Sequence, residues 1–224
     1  MRAMTTYVTM VGLKGGVGKS VSALHLAVYL NRIAGGEGSV LLVDGDPNAT
    51  LLDWARGGGL PVRVVNEMQA MRVAQDHEYV VLDTEARPEQ GYIQQVAENS
   101  DFLVLPSEPA WPCLRVLIAT VDRLRELDRA GDLKALLTIV PTWPNRDGDR
   151  AKRTLEKANI PVFADQVRRR QVYNKAAEDG VPVYGVRERA AHVAWAEYEQ
   201  VGEELARDLR ERGLLSEGAA SSGV

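Results

Sequence analysis

The sequence predicts an α/β protein with a doubly wound, mainly parallel sheet and helices on both of its faces. Short apolar runs alternate with stretches of helical periodicity, the pattern of repeated strand–helix units. The chain has 224 residues and is 45% hydrophobic, enough to bury one sizeable core. The predicted strands cover residues 7–11, 40–44, 62–65, 79–83, 102–106 and 135–140. We expect a single domain over residues 1–212 and a disordered, small-residue tail over 213–224.

Local signals place several helix ends. Apolar residues recur at helical spacing between residues 21 and 30, directly after the first predicted strand and its loop. Asn66 is a candidate N-cap for the helix that follows it. Pro88 and Pro112 suit first helical turns, where a missing N–H costs little. A last helix is predicted over residues 189–212.

A glycine-rich loop, Leu13-Lys14-Gly15-Gly16-Val17-Gly18-Lys19-Ser20, lies between the first predicted strand and the first predicted helix. Glycines let the backbone turn its N–H groups toward a polyphosphate, and the helix N-terminus adds partial positive charge at the same point. At this spacing we expect Lys19 to neutralise the β and γ phosphates and Ser20 to ligate Mg²⁺. The loop therefore predicts nucleotide binding.

Acidic residues end two further predicted strands. Asp44 and Asp46 follow the apolar run at 40–43, and Asp83 closes the run at 79–82. Strand ends are where ligand chemistry collects in sheets of this kind. Mg²⁺ keeps most of its water and takes few protein ligands, so an acid here is expected to hold a water on the ion. Without the glycine-rich loop, Asp44 and Asp46 would suit a turn or helix cap equally well.

These motifs together resemble the ParA/MinD family of ATPases. The glycine-rich loop is similar to that family's deviant Walker A box, residues 40–47 to its Asp-x-Asp-Pro element, and residues 79–83 to a Walker B strand. The resemblance implies a weak ATPase in which Lys14 contacts nucleotide in the partner subunit, Asp46 positions or polarises the attacking water, and Asp44 supports the Mg²⁺ shell. The implied catalytic residues are Lys14, Lys19 and Asp46; the implied ATP or ADP contacts are Lys14, Gly15, Gly16, Val17, Gly18, Lys19, Ser20 and Val21; and the implied Mg²⁺ ligands are Ser20, Asp44 and Asp83. The family usually has Gln where this chain has Asn48, and Thr84–Pro88 is bulkier and more charged than in relatives.

Further segments resemble the small ParF-like partition ATPases. They are Asp53-Trp54, the stretch 170–175, and Asp179-Gly180. The resemblance implies an ATP-dependent homodimer or higher polymer that binds non-specific DNA and segregates a plasmid or chromosome. A small centromere-binding protein, ParB-like or ParG-like, would stimulate its hydrolysis. Two alternatives stay open: positioning of a protein cargo on the nucleoid, and a nucleotide-binding scaffold with little hydrolysis.

The charge of the chain is unevenly distributed. Residues 146–175 contain nine Lys or Arg against four acids, although the whole chain carries −4. Such a segment favours sequence-independent contact with phosphates. It also suits a solvated helical face with dimer contacts, and its arginines suit the nucleotide edge or a polymer interface. The candidate DNA contacts are Arg150, Lys152, Arg153, Arg168, Arg169, Arg170 and Lys175.

Other classes of function are disfavoured. No apolar run reaches eighteen residues, so we expect a cytoplasmic, nucleoid-associated protein with no membrane contact. The last predicted helix is rich in Glu, which anionic lipid would repel, unlike the basic membrane helix of MinD-like proteins. Cys113 is the single cysteine, which excludes internal disulfides and leaves no cluster of thiolates for iron–sulfur chemistry.

Overall fold

Six parallel strands form one sheet in the order β3-β2-β4-β1-β5-β6. The computed structural model describes residues 5–36, 38–85, 91–128 and 132–215. The strands are β1 (Thr6–Met10), β2 (Val40–Gly45), β3 (Arg63–Asn66), β4 (Tyr79–Thr84), β5 (Phe102–Ser107) and β6 (Leu133–Leu137). Most strands are short apolar runs buried on both faces, as parallel sheets require, whereas the edge strand β3 keeps Arg63 and Asn66 exposed. The predicted α/β sheet is confirmed.

Helices cover both faces of this sheet. They are α1 (Lys19–Ile33), α2 (Thr50–Ala55), α3 (Glu67–Val73), α4 (Tyr92–Glu98), α5 (Trp111–Glu126), α6 (Asp147–Lys157), α7 (Val172–Asp179) and α8 (Arg189–Glu211), with 3₁₀ turns at Ala74–Asp76 and Val183–Gly185. One core cluster joins the sheet to α1, α7 and α8, and a second joins its other face to α4, α5 and α6. Within the described ranges no helix is both long enough and apolar enough to cross a bilayer.

His25 of α1 lies at the centre of the larger core cluster. Its ring is fully buried and stacks on Tyr198 of α8 with ring centroids 4.7 Å apart. Nδ1 lies 2.7 Å from the Val21 carbonyl oxygen, and Nε2 accepts a hydrogen bond from the Val183 N–H at 3.0 Å. This contact fixes the helix that follows the glycine-rich loop to the C-terminal part of the chain.

Several predicted helix ends are confirmed. Asn66 forms a capping box with Gln69 at the start of α3, and Pro112 lies in the first turn of α5. The last helix begins at Arg189 as predicted. Pro88 lies outside the described residues.

The predicted strand at 135–140 is wrong by two to three residues at each end. β6 covers Leu133–Leu137, and Ile139 adopts a left-handed conformation (φ 53°) that ends the strand. The Thr138 N–H instead bonds the Ser107 carbonyl at 2.9 Å, beyond the last β5–β6 pair. At the C-terminus the chain stays on the domain past residue 212, since Leu215 is buried and the Leu214 carbonyl accepts from the Thr6 hydroxyl. Residues 216–224 lie outside the described residues.

Two glycines bring the ends of α2 and α7 into backbone contact. A Cβ on Gly57 would lie 2.4 Å from the Gly180 Cα, and Gly180 has a positive φ of 66°. Both helices begin at the carboxyl edge of the sheet, where the glycine-rich loop also lies. The contact therefore fixes the far ends of two elements that flank this edge.

Candidate nucleotide and magnesium site

The glycine-rich loop joins β1 to α1 with backbone conformations that only glycine adopts readily. Gly16 and Gly18 have φ of 77° and 80°. Val17 between them is buried, and its carbonyl accepts a hydrogen bond from the Thr138 hydroxyl at 2.7 Å. The N-terminus of α1 has no side-chain cap and no acid in its first turn. Its N–H groups are therefore available to an anion.

Lys19 lies almost entirely inside the protein, with 6% of its surface exposed. Its side chain runs past Gly12, where an added Cβ would stand 3.3 Å from Lys19 Cδ. Burial lowers the pKa of the Lys19 ammonium, and the carboxylates of Asp83 and Asp46 act in the opposite direction. A phosphate beside this ammonium would supply the compensating negative charge.

Asp83, at the carboxyl end of β4, is the feature that best fits a metal. Its side chain is fully buried, and neither carboxylate oxygen has a well-formed hydrogen bond within the described part of the chain. Burial raises its pKa to about 7, although the nearby Ser20 hydroxyl and the Lys19 ammonium lower it. A buried acid without a partner is costly unless a cation or a bound water satisfies it. Asp83 and Ser20 thus provide the oxygen donors that Mg²⁺ prefers.

Asp44 pairs in register with Asp83 on the neighbouring strand but makes different contacts. Its Oδ2 accepts from the backbone N–H groups of Leu51 and Leu52 at 2.9 and 3.0 Å, and its Oδ1 from that of Asp46 at 3.2 Å. These are the contacts of the turn and helix cap that Asp44 also suited on sequence grounds. A role for Asp44 in the Mg²⁺ shell stays a prediction.

Asp46 is half-buried on the wall of the main cavity. Its Oδ1 accepts from both the backbone N–H and the side-chain amide of Asn48, at 2.9 and 2.7 Å. Asn48 is the residue at which the chain departs from the usual Gln. It holds the carboxylate of Asp46 in place, which suits a group that positions a water.

Lys14 does not line this cavity. Its ammonium donates to the Cys113 sulfur at 2.9 Å and belongs instead to a small surface between the loop and α5. That contact raises the pKa of Lys14, and Glu108 adds to the effect. The two lysines of the loop therefore point in different directions. Lys19 points into the nucleotide cavity of its own chain, and Lys14 points away from it.

The main cavity has a volume of about 790 Å³, a size suited to a nucleotide. Its first wall is the glycine-rich loop with Val21, Asp46, Asn48 and Thr50. Its second wall comes from the segments after β6 and from the last two helices: Thr138, Ile139, Val167, Arg168, Arg169, Arg170, Gln171, Tyr173, Asn174 and Tyr198. The C-terminal half of the chain therefore supplies the wall that faces the glycine-rich loop across the cavity.

Glu197 of α8 anchors the arginines of this second wall. Its Oε2 accepts from the Arg168 backbone N–H at 2.9 Å, and its Oε1 accepts from Arg170 Nη2 at 2.6 Å and Arg168 Nη1 at 3.3 Å. Arg169 approaches Glu108 at 4.0 Å. The three arginines predicted as DNA contacts therefore lie at the edge of the nucleotide cavity, two of them held by one carboxylate.

The other candidate DNA contacts lie on different elements. Lys175 of α7 forms an ion pair with Glu188. On α6, the Lys152 ammonium donates to the Ala164 carbonyl at 2.9 Å, whereas the Arg150 and Arg153 side chains are exposed. The basic segment 146–175 is thus not one surface.

The sequence did not predict three residues of the site, namely Thr138, Tyr198 and Glu197. Thr138 follows a strand and Glu197 sits among the acids of α8, so neither belongs to a spaced motif. The hydroxyl of Tyr198 is 3.1 Å from that of Ser22 in α1, across 176 residues of sequence. In the sequence Thr138 falls inside the predicted strand 135–140, so the rule that ligand chemistry collects at strand ends applies to it only because the structure ends β6 at Leu137.

The fold and the site define a P-loop ATPase of the deviant Walker A class, which binds ATP or ADP with Mg²⁺. The chain belongs to the CobQ/CobB/MinD/ParA nucleotide-binding family (CbiA), whose model matches residues 8–183. It is 34% identical over 210 residues to the maintenance of carboxysome distribution protein A of Gloeobacter kilaueensis, covering 91% of this chain and 95% of that protein. The protein of the same name from Halothiobacillus neapolitanus is 30% identical, over 81% of this chain and 89% of its own length.

The same architecture is found in a solved structure. A plasmid partition protein from Borrelia burgdorferi, determined with AMPPNP bound, matches with a TM-score of 0.67 and 16% identity. The match covers 91% of this chain and 99% of that one. At this identity the likeness concerns the fold.

Proposed function

We propose that this ATPase is a dimerisation switch that distributes a cargo over the nucleoid. The observation that carries the proposal is the difference in position between the two loop lysines. Lys19 is buried in its own nucleotide site, whereas the exposed Lys14 ammonium lies outside that site, against Cys113. In a face-to-face dimer such a lysine is free to reach the nucleotide of the second subunit, so that ATP selects the closed pair.

The residues of the site support hydrolysis by positioning and charge. Phosphoryl transfer needs little covalent help from the protein, so catalysis rests on stabilising charge at the phosphates and orienting the water. Lys19 supplies positive charge within the subunit and Lys14 across the dimer. Asp46, held by Asn48, orients the water. Ser20 and Asp83 would hold Mg²⁺, which would supply positive charge to the phosphate oxygens.

The similarity to two carboxysome distribution proteins over most of the chain supports positioning of a cargo other than DNA. Segregation of a plasmid or chromosome is the second candidate, favoured by the ParF-like stretch 170–175. Both need an ATP dimer on non-specific DNA and an adaptor that stimulates hydrolysis. The adaptor separates them: a small centromere-binding protein, ParB-like or ParG-like, for segregation, and a cargo-bound protein for positioning.

The first experiment is binding to non-specific duplex DNA with ATP, with ADP and without nucleotide, across a salt series. The Asp46→Ala variant is measured beside the wild type, together with the sedimentation coefficient of each. We expect ATP-dependent, salt-sensitive binding that persists longer in Asp46→Ala because hydrolysis is blocked. The absence of binding in every nucleotide state would contradict the nucleoid-based cycle.

Two loop variants test whether Lys14 and Lys19 have these different roles. Lys19→Ala should lose ATP binding, whereas Lys14→Ala should bind ATP in the monomer yet fail to dimerise or hydrolyse. Calorimetry measures the first property and analytical ultracentrifugation the second. Equal loss of ATP affinity in both variants would show that Lys14 serves its own site.

A further inference from the structure

Helix α6 presents a narrow stripe of positive charge to solvent. At 100° per residue, four of the five basic positions in and just before this helix fall within about 60° of arc, and Lys152 lies outside it. The residues of this stripe are Arg146, Arg150, Arg153 and Lys157, all of them exposed. The opposite face carries Gly148, Ala151 and Leu155, which are buried against the second core cluster. The stripe therefore points directly away from the domain.

The charge of this stripe is largely uncompensated. Arg146 approaches Asp149 at 3.6 Å and Arg150 approaches Asp147 at 3.5 Å, both in exposed pairs of poor geometry. Such surface pairs contribute little. Among the residues that the structure describes, neither Arg153 nor Lys157 has an ion-pair partner. The wall of the nucleotide cavity differs, since Arg168 and Arg170 there share Glu197.

An aromatic side chain stands at the start of this stripe. Trp143, in the loop that leads into α6, is 87% exposed. It lines a cavity of about 460 Å³ together with Asn145, Arg146, Gln166 and Arg168. Arg168 also lines the nucleotide cavity. The basic stripe is therefore adjacent to the site whose occupancy would switch it.

We infer that the α6 stripe, together with Trp143, is the surface on which the ATP form contacts the backbone of duplex DNA; this rests on the proposed function. From position 146 to position 157 the helix rises about 16 Å, while duplex DNA carries a charge every 1.7 Å or so along its axis, so several phosphates lie within reach of four cations. Arginine and lysine on phosphates carry no sequence information. The surface accordingly suits a protein that travels over DNA of any sequence.

The test compares two double variants with equal loss of charge. Arg150→Gln/Arg153→Gln removes the middle of the stripe. Arg63→Gln/Arg72→Gln, on exposed residues of β3 and α3 at the opposite edge of the sheet, is the control. Binding to non-specific duplex DNA is measured with a non-hydrolysable ATP analogue across a salt series, beside ATP affinity and melting temperature.

The stripe variant should reduce the slope of log K against log salt by about 2, because roughly one counterion is released per phosphate contact. The control should keep the wild-type slope, and both variants should keep their ATP affinity. An unchanged slope in the stripe variant, with wild-type DNA binding intact, would overturn the inference and point to an acidic protein as the partner of α6. Failure of the wild type itself to bind DNA would instead overturn the proposed function.

Trp143→Ala provides a second arm with a different signature. An apolar contact releases no counterion, so this variant should weaken DNA binding several-fold while the salt slope stays the same. Trp111→Ala, on an indole that is 60% exposed in α5, is its matched control. Equal DNA affinity of both variants and the wild type would remove Trp143 from the surface.

Discussion

Replacing Asp83 with asparagine should stabilise the nucleotide-free protein at pH 8, although it removes a predicted metal ligand. Asp83 is fully buried, and its carboxylate lacks a well-formed hydrogen bond among the described residues. The folded state therefore disfavours the charged form, and burial raises the pKa from 3.8 to about 7. A folded-state pKa above the unfolded one means that the penalty is absent below about pH 4 and complete above about pH 7.

The magnitude follows from the same two values. A rise in pKa from 3.8 to about 7 corresponds to roughly 4 kcal/mol at pH 8. A buried amide without good partners still costs roughly 1–3 kcal/mol. The net gain for Asp83→Asn is then about 2 kcal/mol, or an increase in Tm of roughly 4–8 °C for a domain of this size. At pH 5 the two proteins should have nearly equal stability.

The assay is thermal and urea unfolding with EDTA at pH 5 and pH 8. Asp44→Asn is the matched control, because its carboxylate accepts three backbone N–H groups and its replacement should destabilise by about 1–2 kcal/mol. In saturating ATP and Mg²⁺ the wild type should become more stable than Asp83→Asn, because ligand binding stabilises the wild type more. An Asp83→Asn protein less stable than the wild type at pH 8 in EDTA would show that the buried Asp83 carboxylate carries no such penalty.

Three further predictions concern the core and the second wall of the cavity. Burial lowers the pKa of His25 to about 4, so the free energy of unfolding should fall by up to roughly 3 kcal/mol as the pH drops from 6.5 toward 4. His25→Gln should flatten this part of the plot of urea midpoint against pH. A plot that runs parallel to that of the wild type would contradict the role of His25. Glu197→Gln loosens two arginines of the nucleotide cavity and should weaken ATP binding several-fold by calorimetry. Glu199→Gln, in an exposed pair, should bind ATP as the wild type does. Gly202→Ala places a Cβ 2.4 Å from the Tyr29 ring, so Tm should drop by several degrees. An unchanged Tm would show that the Tyr29 ring moves aside without cost.

Most of the sheet could be predicted because its strands β2, β4 and β5 are apolar runs with local boundaries. Asn66 and Pro112 likewise mark helix starts through chemistry confined to a few residues. The predicted bounds of β6 are wrong because its apolar run continues through Val140, whereas the strand ends at Leu137, two residues before Ile139 takes a positive φ. That conformation depends on contacts with β5 and with the segment near residue 167, which no local pattern encodes.

The phosphate end of the site could be predicted for the same reason. Its glycines, Lys19 and Ser20 lie within one loop, so their spacing alone specifies a cradle. The second wall is assembled from residues more than a hundred positions away, such as Thr138, which bonds the Val17 carbonyl. Sequence also could not show that Asp44 and Asp83, equivalent in register, differ in hydrogen bonding. The direction of a carboxylate is decided by the turn that follows it.

The backbone contact between Gly57 and Gly180 constrains which substitutions evolution can accept at two positions that are far apart in sequence. Because either Cβ would collide with the other main chain, neither glycine can be exchanged alone without moving α2 against α7. Substitution at one position should therefore be accompanied by a shift or deletion at the other among descendants of this chain. A mutational library that keeps this pair and randomises its neighbours would retain more folded members than one that varies either glycine.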